Sequence, residues 1–488
     1  MASSLRLDAM MYGSAMLVDR LLAFFLLPLL TRVISPEDYG VWTQTAIAAG
    51  VLMPIVLFGF STTVVRYFSG PVPSTSRRRY FALLAIFSLL IFLCCALAAT
   101  VFSGALSQLI YGNASMRGLV PVLLLLLAAD VVADYAIAWL RSSARMGVVA
   151  ACFMLRSATR YGAVLALVSG GSVPLRVWLF QYCSAQLMLA LAILFISMLM
   201  VSRSADTQST FEAPKMGELL RFSAPLVLLA ALTSLNGFVD RFVLVRLLGL
   251  EVVAVYAAAV ALCTIPAAFY GVLGFTLFPE LSRRWQARQF NEVSRLMGIA
   301  LQVFLFFCLP MAVALGLTGS WVLPMLTTDA YTAEPMMFVF LGLSVTALGI
   351  YQILLYSLLL DGRGGQLILL AAMSAALNLT LNVILVPHLG GTGAAAAAAV
   401  SNWLTVALAT GLVRSVLPWE IPWASLGQLL WRVFAAAFPM IVFAVSGSRS
   451  PYVGAFAAMS SLTIYLLLDW LRAGSIARSI FAGGVKQT

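Results

Sequence analysis

About fourteen apolar runs of roughly 20 residues follow one another along this chain. One such run crosses the ~30 Å hydrocarbon core of a bilayer as a single helix. Only helices and closed barrels satisfy their backbone hydrogen bonds inside lipid. These runs are too long and too uniformly apolar for barrel strands. An all-α membrane protein is therefore expected, with spans near 10–34, 41–66, 80–103, 118–140, 147–169, 175–201, 218–248, 252–278, 295–318, 335–360, 366–386, 393–416, 427–446 and 451–471. Hydrophobic residues make up 62% of the chain and charged residues 10%, against about 25% charged in a soluble domain. The first run carries Asp19 and Arg20 and is too long for the apolar core of a secretory signal, so it reads as a retained span.

Lys and Arg set the orientation. With the N-terminus in the cytoplasm, nineteen of the 29 basic residues fall on the cytoplasmic side, five on the other side and five within spans. Both termini are then cytoplasmic. This bias also accounts for the net charge of +11 without a nucleic-acid partner. Most tryptophans, Trp42, Trp139 and Trp178 among them, fall near span ends, where indole rings prefer to sit. The segment 279–294 mixes Leu281, Trp285 and Val293 with charges and reads as a short helix on the membrane surface. Residues 202–217 are the most polar stretch and read as a cytoplasmic linker.

Some chemistries are excluded. No G-x-x-x-x-G-K-[ST] loop is present, so the chain is not an ATPase. His388 is the only histidine, so no histidine triad or histidine metal cluster can be built. The six cysteines sit inside apolar runs without metal-ligand spacing and read as small hydrophobes. No metal, no cofactor and no catalytic residue is expected. The longest outer loop, near 319–334, is short for a membrane glycan polymerase or ligase.

An internal repeat organises the two halves. At an offset of 214, Arg32 falls on Arg246, Glu37 on Glu251 and Trp42 on Tyr256. Farther along the offset grows to 220, where Gly170-Gly171 meets Gly390-Gly391, and to 222, where Arg156 meets Asn378 and Arg160 meets Asn382. Small loop insertions produce such drift. Six spans separate matching elements, so the repeat is parallel. The expected domains are an N-terminal six-helix lobe over 1–201, the linker over 202–217, a C-terminal six-helix lobe over 218–416, and two additional helices over 427–471. The expectation is two pseudo-symmetric lobes around a central cavity.

Charges within the spans need a reason. An Arg or Asp at mid-span costs about 2.5–3.5 kcal/mol to insert, so each must pair or face water. Asp130 and Asp134 share one helix face, four residues apart, and Arg156 and Arg160 do the same on the next, antiparallel span. Equal depth from the connecting turn pairs Asp134 with Arg156 and Asp130 with Arg160. Such a ladder is either a structural clamp or a way of holding charged arginines toward a cavity, and both roles can hold at once. Asp19-Arg20 and Asp240-Arg241 project about 100° apart, so one of each pair faces the cavity or bridges locally. Asn236, Asn378 and Asn382 are uncharged polar groups that bind sugar hydroxyls or tie helices. These eleven residues are the candidate substrate site. Pro28, Pro54, Pro225, Pro266 and Pro310 lie within spans and bend their helices.

Three segments carry a family resemblance. Ser35–Gly40 (SPEDYG), Phe278–Ser282 (FPELS) and the stretch from Asn378 (NLTLNVILVPHLGGTGAAAAA) resemble, in order and spacing, the polysaccharide and oligosaccharidyl-lipid exporters of the MOP superfamily. The resemblance covers essentially the whole chain. It implies flipping of a polyprenyl-diphosphate-linked oligosaccharide across the bacterial cytoplasmic membrane, with membrane lipid and the glycan polymerase and glycosyltransferases of one pathway as partners. A lipid II flippase of the same superfamily is less similar, because its Arg- and Gly-rich first span is not reproduced. A cation-coupled multidrug exporter is another relative. Four intramembrane acids suit a cationic drug, but the four arginines that balance them do not.

Overall fold

A computed structural model describes residues 18–19, 22, 24–69, 72–169, 173–202, 214–417, 419, 423–446 and 450–471. Regular structure among them is helical throughout, which bears out the all-α class. Helix α1 covers 24–31. It is followed by α2 (Pro36–Leu57), α3 (Phe60–Phe68), α4 (Ser74–Val101), α5 (Ser103–Tyr111), α6 (Val120–Ser142), α7 (Met146–Ser169), α8 (Leu175–Ser202), α9 (Met216–Leu248), α10 (Leu250–Cys263), α11 (Ala267–Gln286), α12 (Phe290–Leu326), α13 (Pro335–Leu360), α14 (Gly364–Arg414), α15 (Trp423–Ala436), α16 (Phe438–Ser446) and α17 (Pro451–Trp470).

Among the described residues, ten helices are long and apolar enough to cross a membrane. An eleventh span is formed if α15 and α16, bent by 41° at their junction, are taken together. The protein is a multi-pass membrane protein. The fourteen apolar runs and these helices divide the same sequence differently. Helix α14 has 51 residues, about 76 Å at 1.5 Å per residue, which is enough for two crossings. At Gly390 its backbone leaves helical geometry (φ 56°, ψ −136°), just after Pro387. A β carbon on Gly393 would lie 2.5 Å from the Leu385 carbonyl oxygen. Eight residues of straight helix would separate those positions by about 12 Å, so the chain turns sharply between them. Helices α10 and α11 are one apolar run interrupted at 264–266, and the beginning of the first run, 10–17, lies outside the described residues.

Local chemistry sets the helix ends. The Ser35 hydroxyl caps α2 by accepting from the Asp38 amide at 3.1 Å, Pro36 opens the helix, and Glu37 and Asp38 face its positive end. Past Pro54, α2 gives way to α3 where Phe58 and Gly59 both take left-handed backbone (φ 50° and 67°).

Two compact units are present. The first comprises Met1–Ala257 with Gly365–Val383. Its interior is α6, which packs against α8, α2 and α3. Phe68, Phe81 and Tyr135 surround Trp139 there, Tyr80 packs on Phe68, and Tyr135 donates to the Phe81 carbonyl at 2.6 Å. Trp139 is fully buried, so it serves the core and not the membrane interface expected of it. By contrast α4 exposes Ile86, Leu89, Leu90, Leu93 and Leu97, an apolar surface suited to lipid. The start of α2 meets the start of α10: a β carbon on Gly40 would lie 2.4 Å from the Leu250 carbonyl oxygen. The two stretches matched by the 214-residue offset are therefore in direct contact.

The second unit comprises Ala258–Gly364 with Ile384–Thr488. Its main packing is α12 on α13, where glycines admit aromatic rings: Gly349 lies against Phe304, and Gly319 against Phe338. Helices α15 and α17 are joined by a buried ion pair between Arg432 and Asp469. The Tyr465 hydroxyl donates to the Phe306 carbonyl at 2.8 Å, which fixes α17 to α12.

Residues 279–286 continue α11, so the surface helix expected over 279–294 does not form as a separate element. A three-residue turn leads to α12. Arg284 bridges Glu280 at 2.7 Å and Glu292 at 2.9 Å, which ties the two helix ends together. Hydrogen bonds from Arg283 and Arg284 hold the Glu280 carboxyl below the usual carboxylate range. The resulting stabilisation is present at neutral pH and fades as pH falls through that lowered value. Exposure keeps it small.

Helices α6 and α13 end in turns of the same kind. After α6, the Ala144 amide donates to Arg141 and the Arg145 amide to Leu140, at 3.0 and 3.1 Å. After α13, the Gly362 amide donates to Leu359 and the Arg363 amide to Leu358, at 3.2 and 3.1 Å. Both are Schellman closures with the pivotal residue left-handed, φ 53° at Ala144 and 76° at Gly362. Every partner matches at an offset of 218. The Cβ of Ala144 makes that backbone unfavourable. Ala144→Gly should raise stability by about 0.5–1 kcal/mol, and Gly362→Ala should lower it by a similar amount. Unchanged unfolding midpoints for both variants in detergent would show that packing, not backbone preference, sets these turns.

Candidate functional site

In the first unit, three helices bring the predicted charges together. Asp19 comes from the helical turn at 18–19, Asp130 from α6, and Arg156 and Arg160 from successive turns of α7. Arg156 Nη2 donates to Asp130 Oδ1 at 2.6 Å. Arg160 Nη1 lies 3.7 Å from Asp19 Oδ1, and the Ser157 hydroxyl also donates to Asp19. The Tyr182 hydroxyl of α8 lies beside the Arg160 guanidinium.

This pairing differs from the expected ladder by one turn. Depth from the α6–α7 turn matches Asp134 with Arg156 and Asp130 with Arg160. The Asp19 carboxylate engages Arg160, which leaves Asp130 to Arg156. Among the described residues Asp134 forms no ion pair, although Arg156 and Arg141 act on it electrostatically. Arg20 lies outside the described residues.

The four charged side chains are neither sealed nor fully wet. Their exposures are 14% for Arg156, 25% for Asp130, 30% for Arg160 and 23% for Asp19. Arg156 spends one of its five N–H donors on Asp130. Arg160 holds Asp19 loosely, and Ser157 supports that carboxylate independently. Neither guanidinium group is used up by its carboxylate, and each remains partly exposed. Planar guanidinium groups suit phosphate oxygens because two parallel N–H bonds fit them.

The other predicted residues form two closed clusters. Asn236 donates to Ser374 at 3.0 Å, Asn378 to the Asn236 carbonyl at 3.0 Å, and Asn382 to the Asn378 side-chain oxygen at 2.9 Å. Asn378 and Asn382 are buried, and the chain of amides joins α9 to α14. Asp240 and Arg241 are buried as well. Tyr256 donates to Asp240, and the Arg241 guanidinium lies 5.5 Å from the ring centres of Phe238 and Tyr256. The Gln44 amide donates to the Ile110 carbonyl at 2.9 Å and the Arg241 carbonyl at 3.3 Å, linking α2, α5 and α9.

Sequence reasoning missed Ser157, Tyr182, Ser374, Gln44 and Tyr256. Only Ser157 carries a usable signal, since it follows Arg156 and sits one turn before Arg160 on the same helix. The others reach their partners from distant segments.

Residues 6–285 match the family described as polysaccharide biosynthesis protein. The chain belongs to that family. This bears out the family resemblance, and the matched region contains two of the segments that carried it, Ser35–Gly40 and Phe278–Ser282. The chain is also similar to two curated proteins described as probable lipid II flippase MurJ. One, from Rhizobium meliloti (strain 1021), is 24% identical over 265 residues, 53% of this chain and 45% of that protein. The other, from Rhizobium tropici, is 25% identical over 284 residues, 56% of this chain and 53% of that protein. The chain thus spans about half the length of the curated relatives it matches. Among solved structures, the lipid II flippase MurJ in an inward closed conformation superimposes with a TM-score of 0.74 at 14% identity, covering 97% of this chain and 99% of that one. A MOP superfamily transporter from Pyrococcus furiosus gives 0.59 at 14% identity, covering 84% and 95%. At these identities the likeness establishes the fold that this member of the polysaccharide biosynthesis family shares with both.

Proposed function

We propose that this protein flips a polyprenyl-diphosphate-linked oligosaccharide across the bacterial cytoplasmic membrane. One observation carries the reading. Arg156 and Arg160 occupy one accessible face of α7 in a membrane-spanning unit, each held by a carboxylate yet with donors to spare. They take the diphosphate, and Arg20 adds positive charge from the first span. Asp19, Asp130 and Asp134 keep the arginines oriented and moderate their affinity, so that a bound anion can also leave. The polyprenyl tail stays in lipid. The buried Asn236–Asn378–Asn382 and Asp240–Arg241 clusters hold the scaffold around this site. The two six-helix repeats are the lobes of the transporter, and 427–471 is an addition to the second. Both termini lie in the cytoplasm, and the glycosyltransferases and glycan polymerase of the same pathway are the functional partners.

The family match supports a surface-glycan substrate. The curated relatives favour a second reading, lipid II, which is also a polyprenyl-diphosphate-linked saccharide. Deleting the gene distinguishes the two. The first predicts accumulated lipid-linked glycan, loss of surface polysaccharide and intact cell-wall growth. Accumulated lipid II with arrested wall growth establishes the second instead. A deletion strain with neither defect sinks both.

A further inference from the structure

We infer that Trp42 is the saccharide-stacking residue of this transporter, presenting an indole face to a pyranose ring attached to the diphosphate held at Arg160. The inference rests on the flippase reading above and adds the substrate's sugar to it.

Three aromatic rings adjoin the arginine cluster within the first unit. The Trp42 ring centre lies 5.1 Å from that of Trp178 and 4.6 Å from that of Tyr182, and Trp178 and Tyr182 are stacked at 5.8 Å. Trp178 and Tyr182 are buried, and Trp42 is half-buried. Trp42 is thus the one member of the trio with surface left for a ligand. Its orientation is set from behind. The Trp178 indole donates to the Ala163 carbonyl at 3.0 Å, which anchors it to α7 one turn beyond Arg160. Tyr182 touches the Trp42 ring while its hydroxyl lies beside the Arg160 guanidinium. Tyr182 therefore adjoins both the aromatic ring and the phosphate donors, and Trp178 backs the ring from α7.

The exposed part of Trp42 does not continue a stripe of large aliphatic side chains. On α4, exposed positions are filled by Ile86, Leu89, Leu90, Leu93 and Leu97. On α2, the residues one and two turns beyond Trp42 on the same face are Ala46, exposed, and Gly50, half-buried. The first large exposed aliphatic of α2 is Ile55, more than three turns away. Small side chains leave room beside the indole, and a flat ring needs that room. A pyranose presents polarised C–H groups on its flat face, and the electron-rich face of an indole attracts them. A Trp placed only to anchor the protein at the bilayer surface would need neither the buried pair behind it nor their link to Arg160.

The test compares two probes by equilibrium binding to purified protein in nanodiscs: undecaprenyl diphosphate, and the same lipid carrying one glucose. In the unaltered protein the sugar should tighten binding about tenfold. Trp42→Phe should keep most of that gain. Trp42→Leu, which preserves apolar packing, should lose it while binding the sugar-free lipid as before. Equal gains in the Trp42→Leu and unaltered proteins would overturn the inference and leave the flippase reading standing. So would an unaltered protein that binds both lipids alike. Binding of neither lipid by the unaltered protein would overturn the flippase reading itself.

Discussion

Replacing both Arg156 and Arg160 by alanine should reduce glycan export by roughly 100-fold or more, with the protein still present in the membrane. A hydrogen bond to a charged group is worth about 1.5–3 kcal/mol, so losing two costs about 3–6 kcal/mol, and each 1.4 kcal/mol is a factor of ten. The single changes should differ. Arg156 is the tighter pair at 2.6 Å, so Arg156→Ala also strands Asp130. Arg160→Ala leaves Asp19 with the Ser157 hydroxyl, so its effect should fall on transport more than on stability. Lysine at either position keeps the charge but not the planar fork and should restore only part of the activity. Surface glycan, scored beside the amount of protein in isolated membranes, separates the two effects. Full export by the double variant would remove the arginines from the site.

The second large effect is on stability. Arg432 and Asp469 are 7% and 1% exposed and form an ion pair between α15 and α17. Taking away one partner leaves the other charge buried, at about 3–5 kcal/mol. Arg432→Ala should therefore lower the unfolding midpoint sharply. Changing both partners, Arg432→Met with Asp469→Leu, should recover most of the loss, because a buried pair contributes little net stability over apolar packing of similar volume. If the double variant is as unstable as the single one, the pair does more than neutralise itself. Transport measured on the double variant would then show whether the charges serve function.

Part of this protein is legible in the order of its residues alone. The apolar runs dictate the all-α class, since lipid offers no other partner for backbone groups. The family resemblance rests on three short segments that can be read directly from the chain. Asp130, Arg156 and Arg160 are visible because spacing by four places residues on one helix face. The offset of 214 marks the stretches around Gly40 and Leu250 as counterparts, and those segments do touch.

Tertiary structure decides the rest. The partner of each arginine turns on where Asp19, more than a hundred residues away in the chain, arrives, and spacing within α6 and α7 holds no record of that. The same is true of Trp139. Its place near a span end suggests the membrane interface, but Phe68, Phe81 and Tyr135 converge on it and bury it. Nor does the chain distinguish Asp19, partly exposed, from Asp240, sealed beneath Tyr256. Each is an aspartate followed by an arginine in an apolar run. A sequence pattern reports which residues share a face of one helix. What that face meets depends on segments far along the chain, and this separates the charges left open to a ligand from those consumed in holding the fold.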